Sequence, residues 1–197
     1  LPEAMYIMKL AHKQFESVLK KDYLQGITVT ESVDFHDITK GILETCEREH
    51  IDLIIMGSHG AEGLKELFIG SNAEKVVRHS NTPVLVIKNN HEHFDIKEFV
   101  FASDFKNDNK ETYAQAVKLA KLFDAKIHLL YVNTPSNFVT TATSKVRIFD
   151  FIEGQDHNNY TINIYNDETV EKGILNFSKI INADLIGIST HGRQGIA

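Results

Sequence analysis

The chain has 197 residues, 42% hydrophobic and 24% charged, which leaves room for one large or two small globular domains. Its net charge is −6, with Lys and Arg scattered among acidic residues, so it lacks the basic face that nonspecific nucleic-acid binding requires. No apolar run approaches the roughly 18 residues of a membrane span. Leu1-Pro2-Glu3-Ala4 does not read as a signal peptide, and the absence of an initiator Met predicts that the true N-terminus is missing. Cys46 is the single cysteine, which excludes an internal disulfide and predicts a reducing, cytoplasmic setting. Within a helical pattern it reads as a small buried hydrophobe.

Residues 4–24 carry apolar side chains at helical spacing (Met5, Met8, Ala11, Phe15, Val18) and predict an amphipathic helix. Ile27 to Val33 alternates and is rich in β-branched residues, which predicts a strand. Ile38 to Glu49 reads as a helix capped by Asp37. Leu53 to Met56 is continuously apolar, as in a parallel strand covered on both faces. A helix over 71–80 and a strand over Val84–Ile87 follow. Further on, Phe99–Ala102 predicts a strand, Lys110–Phe123 a helix, Ile127–Val132 a strand and 140–155 a poorly patterned helix. Ile162–Ile164 then reads as a strand, Thr169–Ile181 as a helix and Leu185–Ile188 as a strand. Strands separated by helices of 10–15 residues predict an α/β fold with an open parallel sheet.

The strand ending at Met56 empties into Gly57-Ser58-His59-Gly60, and nine residues later comes Gly70-Ser71 at a helix start. Glycines let the main chain approach a ligand closely, and the unpaired N–H groups of a first helical turn attract an anion. This spacing reads as phosphate binding rather than a bare tight turn. Ser71 with Glu74 also fits a capping box, so its hydroxyl has two readings, cap and phosphate contact. His59 reads as packed in its loop, because no nucleophile or carboxylate is placed beside it. Leu67 and Phe68 read as packing residues.

The chain repeats itself at an offset of 132 residues. Lys40-Gly41-Ile42-Leu43 recurs as Lys172-Gly173-Ile174-Leu175, Asp52-Leu53-Ile54 as Asp184-Leu185-Ile186, and His59-Gly60-x-x-Gly63 as His191-Gly192-x-x-Gly195. One offset holding over so many residues predicts two tandem copies, residues 1–89 and 96–197, joined by a polar linker at 90–95. His91, His93 and Asp95 in that linker read as a solvated connector, since no further residue stands at metal-ligand spacing.

With these residues the chain resembles the universal stress protein family in its tandem two-domain form. The family's nucleotide-binding signature stands here as Gly57-x-x-Gly60, Ala61 to Ile69, then Gly70-Ser71. Asn72-Ala73-Glu74-Lys75-Val76 and Thr82-Pro83-Val84-Leu85-Val86 also match its pattern. The resemblance implies a five-stranded parallel sheet with helices on both faces, Rossmann-like and similar to adenine nucleotide α-hydrolases. ATP or AMP, with or without Mg²⁺, would lie across the carboxyl ends of the strands. It implies that Met56, Gly57, Gly60, Gly70, Ser71 and Asn72 hold ribose and phosphates through their backbone. In the second copy it implies Asp104 and Val132 at the adenine, with Gly192 as the surviving motif glycine. Two departures stand out. The first copy begins at what should be its second helix, and the second copy ends before its last glycine-serine, helix and strand. Ser189 also replaces the first motif glycine. The expectation is a piece of a longer tandem protein in which neither copy holds a whole site.

The resemblance therefore implies a stress-response protein that binds an adenine nucleotide as a regulatory ligand. No catalytic residue and no metal ligand is predicted, and slow ATP hydrolysis is the most the family implies. The alternatives are a nucleotide-free interaction module of the same fold and, more remotely, an ATP-using enzyme of the α-hydrolase group. The resemblance also implies self-association through the apolar edge strand Val84–Ile87.

Overall fold

The chain divides into two units, Leu1–Val84 and Leu85–Ala197. The computed structural model describes residues 2–35, 37–58, 70–88 and 94–189. Most of the expected linker at 90–95 lies outside the described residues. Among the described residues no helix is long and apolar enough to cross a membrane.

In the first unit, helix α1 (Pro2–Leu19) ends before the expected residue 24; Lys21 N–H turns back to Val18 O at 3.0 Å and a short 3₁₀ turn, Asp22–Leu24, follows. The expected strand at 27–33 does not form: these residues have no regular secondary structure and pair with no described strand. A strand exists only through a ladder partner, and no described strand lies beside this segment to supply one. Helix α2 (Ile38–Arg48) begins as expected, with the Asp37 carboxylate accepting the Lys40 N–H at 3.1 Å. Strand β1 (Ile54–Gly57) and helix α3 (Ser71–His79) follow, and β1 forms a two-stranded sheet with β2 (Val84–Ile87), the strand that contains the division between the units. Cys46, Ile54 and Val76 form the small core, flanked by Ile42, Met56 and Val84. Only one face of β1 is covered, against expectation: Ile55 points away from this core and is 64% exposed.

The second unit is a four-stranded parallel sheet in the order β5-β4-β3-β6, formed by β3 (Glu98–Ala102), β4 (Lys126–Asn133), β5 (Tyr160–Asn166) and β6 (Leu185–Ile188). Helices α4 (Lys110–Phe123), α5 (Thr141–Ile152) and α6 (Val170–Ile180) connect the strands. Alternation along β4 sorts its side chains to two faces. Ile127, Leu129 and Tyr131 join Phe101, Tyr113, Ile148 and Phe151 in one core, while Leu130 and Val132 join Phe177 in the other. Both faces of this sheet are therefore buried, as a parallel α/β sheet requires. Because β4 and β5 extend the sheet to one side of β3 and β6 to the other, the strand order reverses between β3 and β6. Such a reversal opens a crevice at the carboxyl ends of the strands.

Candidate functional site

The two halves of the glycine signature converge in the first unit. Gly70 N–H donates to Ser58 O at 2.7 Å, which joins the end of β1 to the start of α3. Gly70 is the N-cap residue of α3, and no side chain caps the helix. The first intrahelical bond runs from Glu74 N–H to Gly70 O, at 3.0 Å. The N–H groups of Ser71, Asn72 and Ala73 therefore precede the ladder, and Ser71 and Asn72 are exposed. The positive end of the helix dipole lies at the same place.

This geometry does not bear out the capping reading of Ser71. The helix begins one residue earlier than a capping box needs, so Ser71 is the first helical residue rather than the cap. Glu74 does not reach back; it pairs instead with Arg78 one turn on, at 2.9 Å. The Gly70 amide is already used in the bond to Ser58. Gly57 ends β1 with open space beside it: a Cβ built there would meet nothing within 4 Å. Met56 is half-buried against the small core and positions that strand end. Gly60, like His59, Leu67 and Phe68, lies outside the described residues.

In the second unit, Ala102 pairs with Ile188, so Ser103 and Ser189 leave the sheet side by side at the reversal of strand order. Asp104 Oδ1 accepts the Asn109 side-chain amide at 2.9 Å, and Oδ2 pairs with Lys106 Nζ at 3.0 Å. Ser103 Oγ accepts the Phe105 N–H at 2.9 Å. Phe105 takes a left-handed conformation, φ 54°, and buries its ring on Phe101 and Phe151. The loop is thus wound tightly around its own polar groups. Ser189, where the motif has glycine, approaches Thr112 of α4, hydroxyl to hydroxyl at 3.5 Å.

Val132 lies beside this loop, past the last pairing of β4 with β3, Ala102 to Leu130. Ser103 N–H bonds Leu130 O at 3.2 Å, and Asp167 N–H bonds Asn133 O at 3.0 Å. Residues 130 and 133 therefore direct their backbone groups to opposite sides. Val132 follows Leu130 in pointing its N–H and C=O towards β3, beyond that strand's end. A donor and an acceptor thus stand side by side on the β4 backbone past the end of β3. Its side chain faces the other way, into the core against Gly173. Gly192 lies outside the described residues.

Ser103, Asn109 and Thr112 were not singled out from the sequence. The clustering of short polar residues after β3, Ser103-Asp104 and Asn107-Asp108-Asn109, is the signal that marks this turn. Also unforeseen is His128 on β4, whose Nε2 bonds the Glu98 carboxylate and whose Nδ1 meets Thr161 Oγ1 at 2.9 Å. That network sits at the amino ends of the strands, away from the crevice. Cys46 is buried as expected, and burial pushes its thiol pKa up, which disfavours a reactive thiolate.

Residues 2–88 match the profile of the universal stress protein family. The chain is 38% identical over 78 residues to one universal stress protein of Methanocaldococcus jannaschii, covering 40% of this chain and 48% of the relative. A second from that organism is 31% identical over 86 residues, covering 44% of this chain and 45% of the relative. The matched region spans about half the length of these curated relatives. Among solved structures, a universal stress protein from Archaeoglobus fulgidus superposes with a TM-score of 0.72 at 24% identity, over 96% of this chain and 69% of that one. That likeness is one of fold.

Proposed function

We propose that the chain, whose residues 2–88 match the profile of the universal stress protein family, binds ATP or AMP as a regulatory ligand in a cytoplasmic stress response. The phosphates lie on the free amides of Ser71 and Asn72 and along the backbone at Met56 and Gly57, and the proposed seat extends to Gly60, which lies outside the described residues. The observation that carries this reading is the uncapped start of α3 held against the end of β1 by the Ser58–Gly70 bond. A helix N-terminus with no side-chain cap, reached through a glycine strand end, suits a phosphate better than a water-filled turn. In the second unit, the outward backbone of Val132 and the nearby Asp104 suit the adenine edge, with Gly192 on the phosphate side.

The role is that of a sensor. Nucleotide binding at the glycine signature shifts the population of a partner-binding surface. Magnesium enters, if at all, with the phosphates. Self-association runs through β2, whose four residues are all half-buried and apolar.

A second reading, the nucleotide-free interaction module, is favoured at the second unit by one observation. Asp104 is already satisfied by Asn109 and Lys106, and Ser189 stands in the glycine position. Mass spectrometry of gently denatured, freshly purified protein separates the readings. The nucleotide reading expects co-purified ATP or AMP in the unmodified chain and its loss in Gly57→Glu. That variant has space for its side chain and places a carboxylate where the phosphates would lie. Equal nucleotide in both proteins, or none in either, refutes it.

A further inference from the structure

Helices α2, α3, α4 and α6 each carry a basic residue in their last turn, where it meets the negative end of the helix dipole. Helix α5 carries none. Its last turn and C-cap hold Asp150 and Glu153 instead, two carboxylates three residues apart and close enough to repel each other. Among the described residues neither carboxylate has an ion pair, although Asp156 nearby pairs with Lys121 Nζ at 3.0 Å. Lys110 Nζ reaches the Asp150 backbone carbonyl, at 3.3 Å, rather than its carboxylate. The end of α5 thus concentrates negative charge without an internal counter-charge.

The chain then turns back and builds a groove at that end. Gly154 takes a left-handed conformation, φ 79°, and Gln155 N–H bonds Ile152 O at 3.0 Å. His157 Nε2 donates to Asn159 O at 3.0 Å, and the same carbonyl accepts the Ile127 N–H at 3.0 Å, which ties the loop to the sheet. The groove has a volume of about 370 Å³ and is lined by Asp150, Glu153, His157 and the rings of Phe149 and Tyr160. That volume falls in the range of ligand sites, roughly 300–1,000 Å³. Phe149 is 53% exposed, and Val146, three residues earlier on the same helix face, is 60% exposed, so an apolar strip runs out of the groove along α5.

We infer that this groove docks a segment of a partner protein that carries an arginine beside apolar residues. The guanidinium stacks on Phe149 and pairs with Asp150 and Glu153, which supplies the positive charge that this helix end lacks. Arginine suits the groove better than lysine, because its planar fork stacks on a ring and pairs with carboxylates at once. Apolar neighbours of that arginine cover Phe149 and Val146. The groove lies where β5 begins, at Tyr160, away from the crevice at the carboxyl ends of the strands. This inference therefore stands apart from the nucleotide reading.

The test is titration of the isotope-labelled full chain with an acetylated, amidated peptide, leucine-alanine-arginine-alanine-leucine, followed amide by amide. Saturable shifts should cluster at residues 146–160. Citrulline in place of the arginine keeps the shape without the charge and should weaken binding at least about tenfold. Asp150→Asn combined with Glu153→Gln should weaken it by a similar factor. Removing two like charges from the negative end of a helix should leave the urea midpoint of that double variant unchanged or raised, which separates lost binding from lost folding. No saturable shifts, shifts centred elsewhere, equal binding of the citrulline peptide, or undiminished binding by the double variant would each overturn the inference. Spermine seated in the groove more tightly than the peptide would overturn the assignment to a protein segment.

Discussion

Gly173→Ala tests how tightly α6 is set on the sheet. Alanine gains about 1 kcal/mol of helix propensity over glycine in a helix interior. Against that stands the contact at 2.4 Å to Val132 Cγ1, with Cγ2 at 3.1 Å and Asp167 Cβ at 3.3 Å. Val132 is itself wedged among Phe177, Tyr165, Val170 and Ile174, so it has little room to retreat. Forcing a methyl group into such a site costs about 1–3 kcal/mol. The expected net is a destabilisation of the second unit by about 1 kcal/mol. Gly41→Ala is the matched control: the three atoms nearest its new methyl all belong to the Asp34 side chain, the carboxylate Oδ2 at 3.0 Å being the nearest, rather than to a branched core residue. That variant should be neutral or stabilising by up to about 1 kcal/mol. Urea unfolding followed by amide exchange in α6 and α2 separately reads each unit. Val132→Ala combined with Gly173→Ala should recover about 1–2 kcal/mol of the sum of the single effects, as expected for residues in contact. If Gly173→Ala stabilises as much as Gly41→Ala, or the pair is simply additive, the close-packing account of the repeated glycine fails.

Two further outcomes follow from the second unit. Asp184 Oδ2 accepts the N–H groups of both Lys97 and Glu98 at 2.9 Å and so ties the start of β6 to that of β3. Asp184→Ala should lower stability by about 1–3 kcal/mol, with less loss in Asp184→Asn, measured from urea midpoints. Burial, aided by the charge of nearby Tyr160, pushes the Tyr113 hydroxyl from 10.0 up to about 12. The folded state thus holds a proton that the unfolded chain releases near pH 10, so this stabilisation is complete below pH 10 and is lost as pH rises towards 12. The loss is about 3 kcal/mol, and Tyr113→Phe should flatten the alkaline limb of a urea-midpoint profile.

Elements whose residues carry their own instructions were legible from the sequence. The bounds of Lys110–Phe123 and Leu185–Ile188 are found unchanged, and Asp37 caps its helix as its side-chain chemistry requires. Residues 27–33 show the opposite case: the alternation is real, but a strand is a property of two segments, and its mate is absent from the described residues. The exposed face of β1 has the same cause, since a continuous apolar run shows only that two faces could be covered. The glycine signature was readable as strand end and helix start, but two details were not. Ser71 misses the capping position by one residue, and the Gly70 amide is taken by Ser58, twelve residues earlier in the sequence. Around Asp104, short polar residues announced a turn, whereas the partners Asn109 and Lys106 emerge only from its three-dimensional winding.

Titration of the ¹⁵N-labelled full chain with ATP, followed residue by residue, tests the proposed phosphate seat most directly. The largest amide shifts should fall at Ser71 and Asn72, with little change at Gly70, whose N–H is already bonded to Ser58. A shift pattern that leaves the start of α3 untouched while ATP saturates the protein would contradict it.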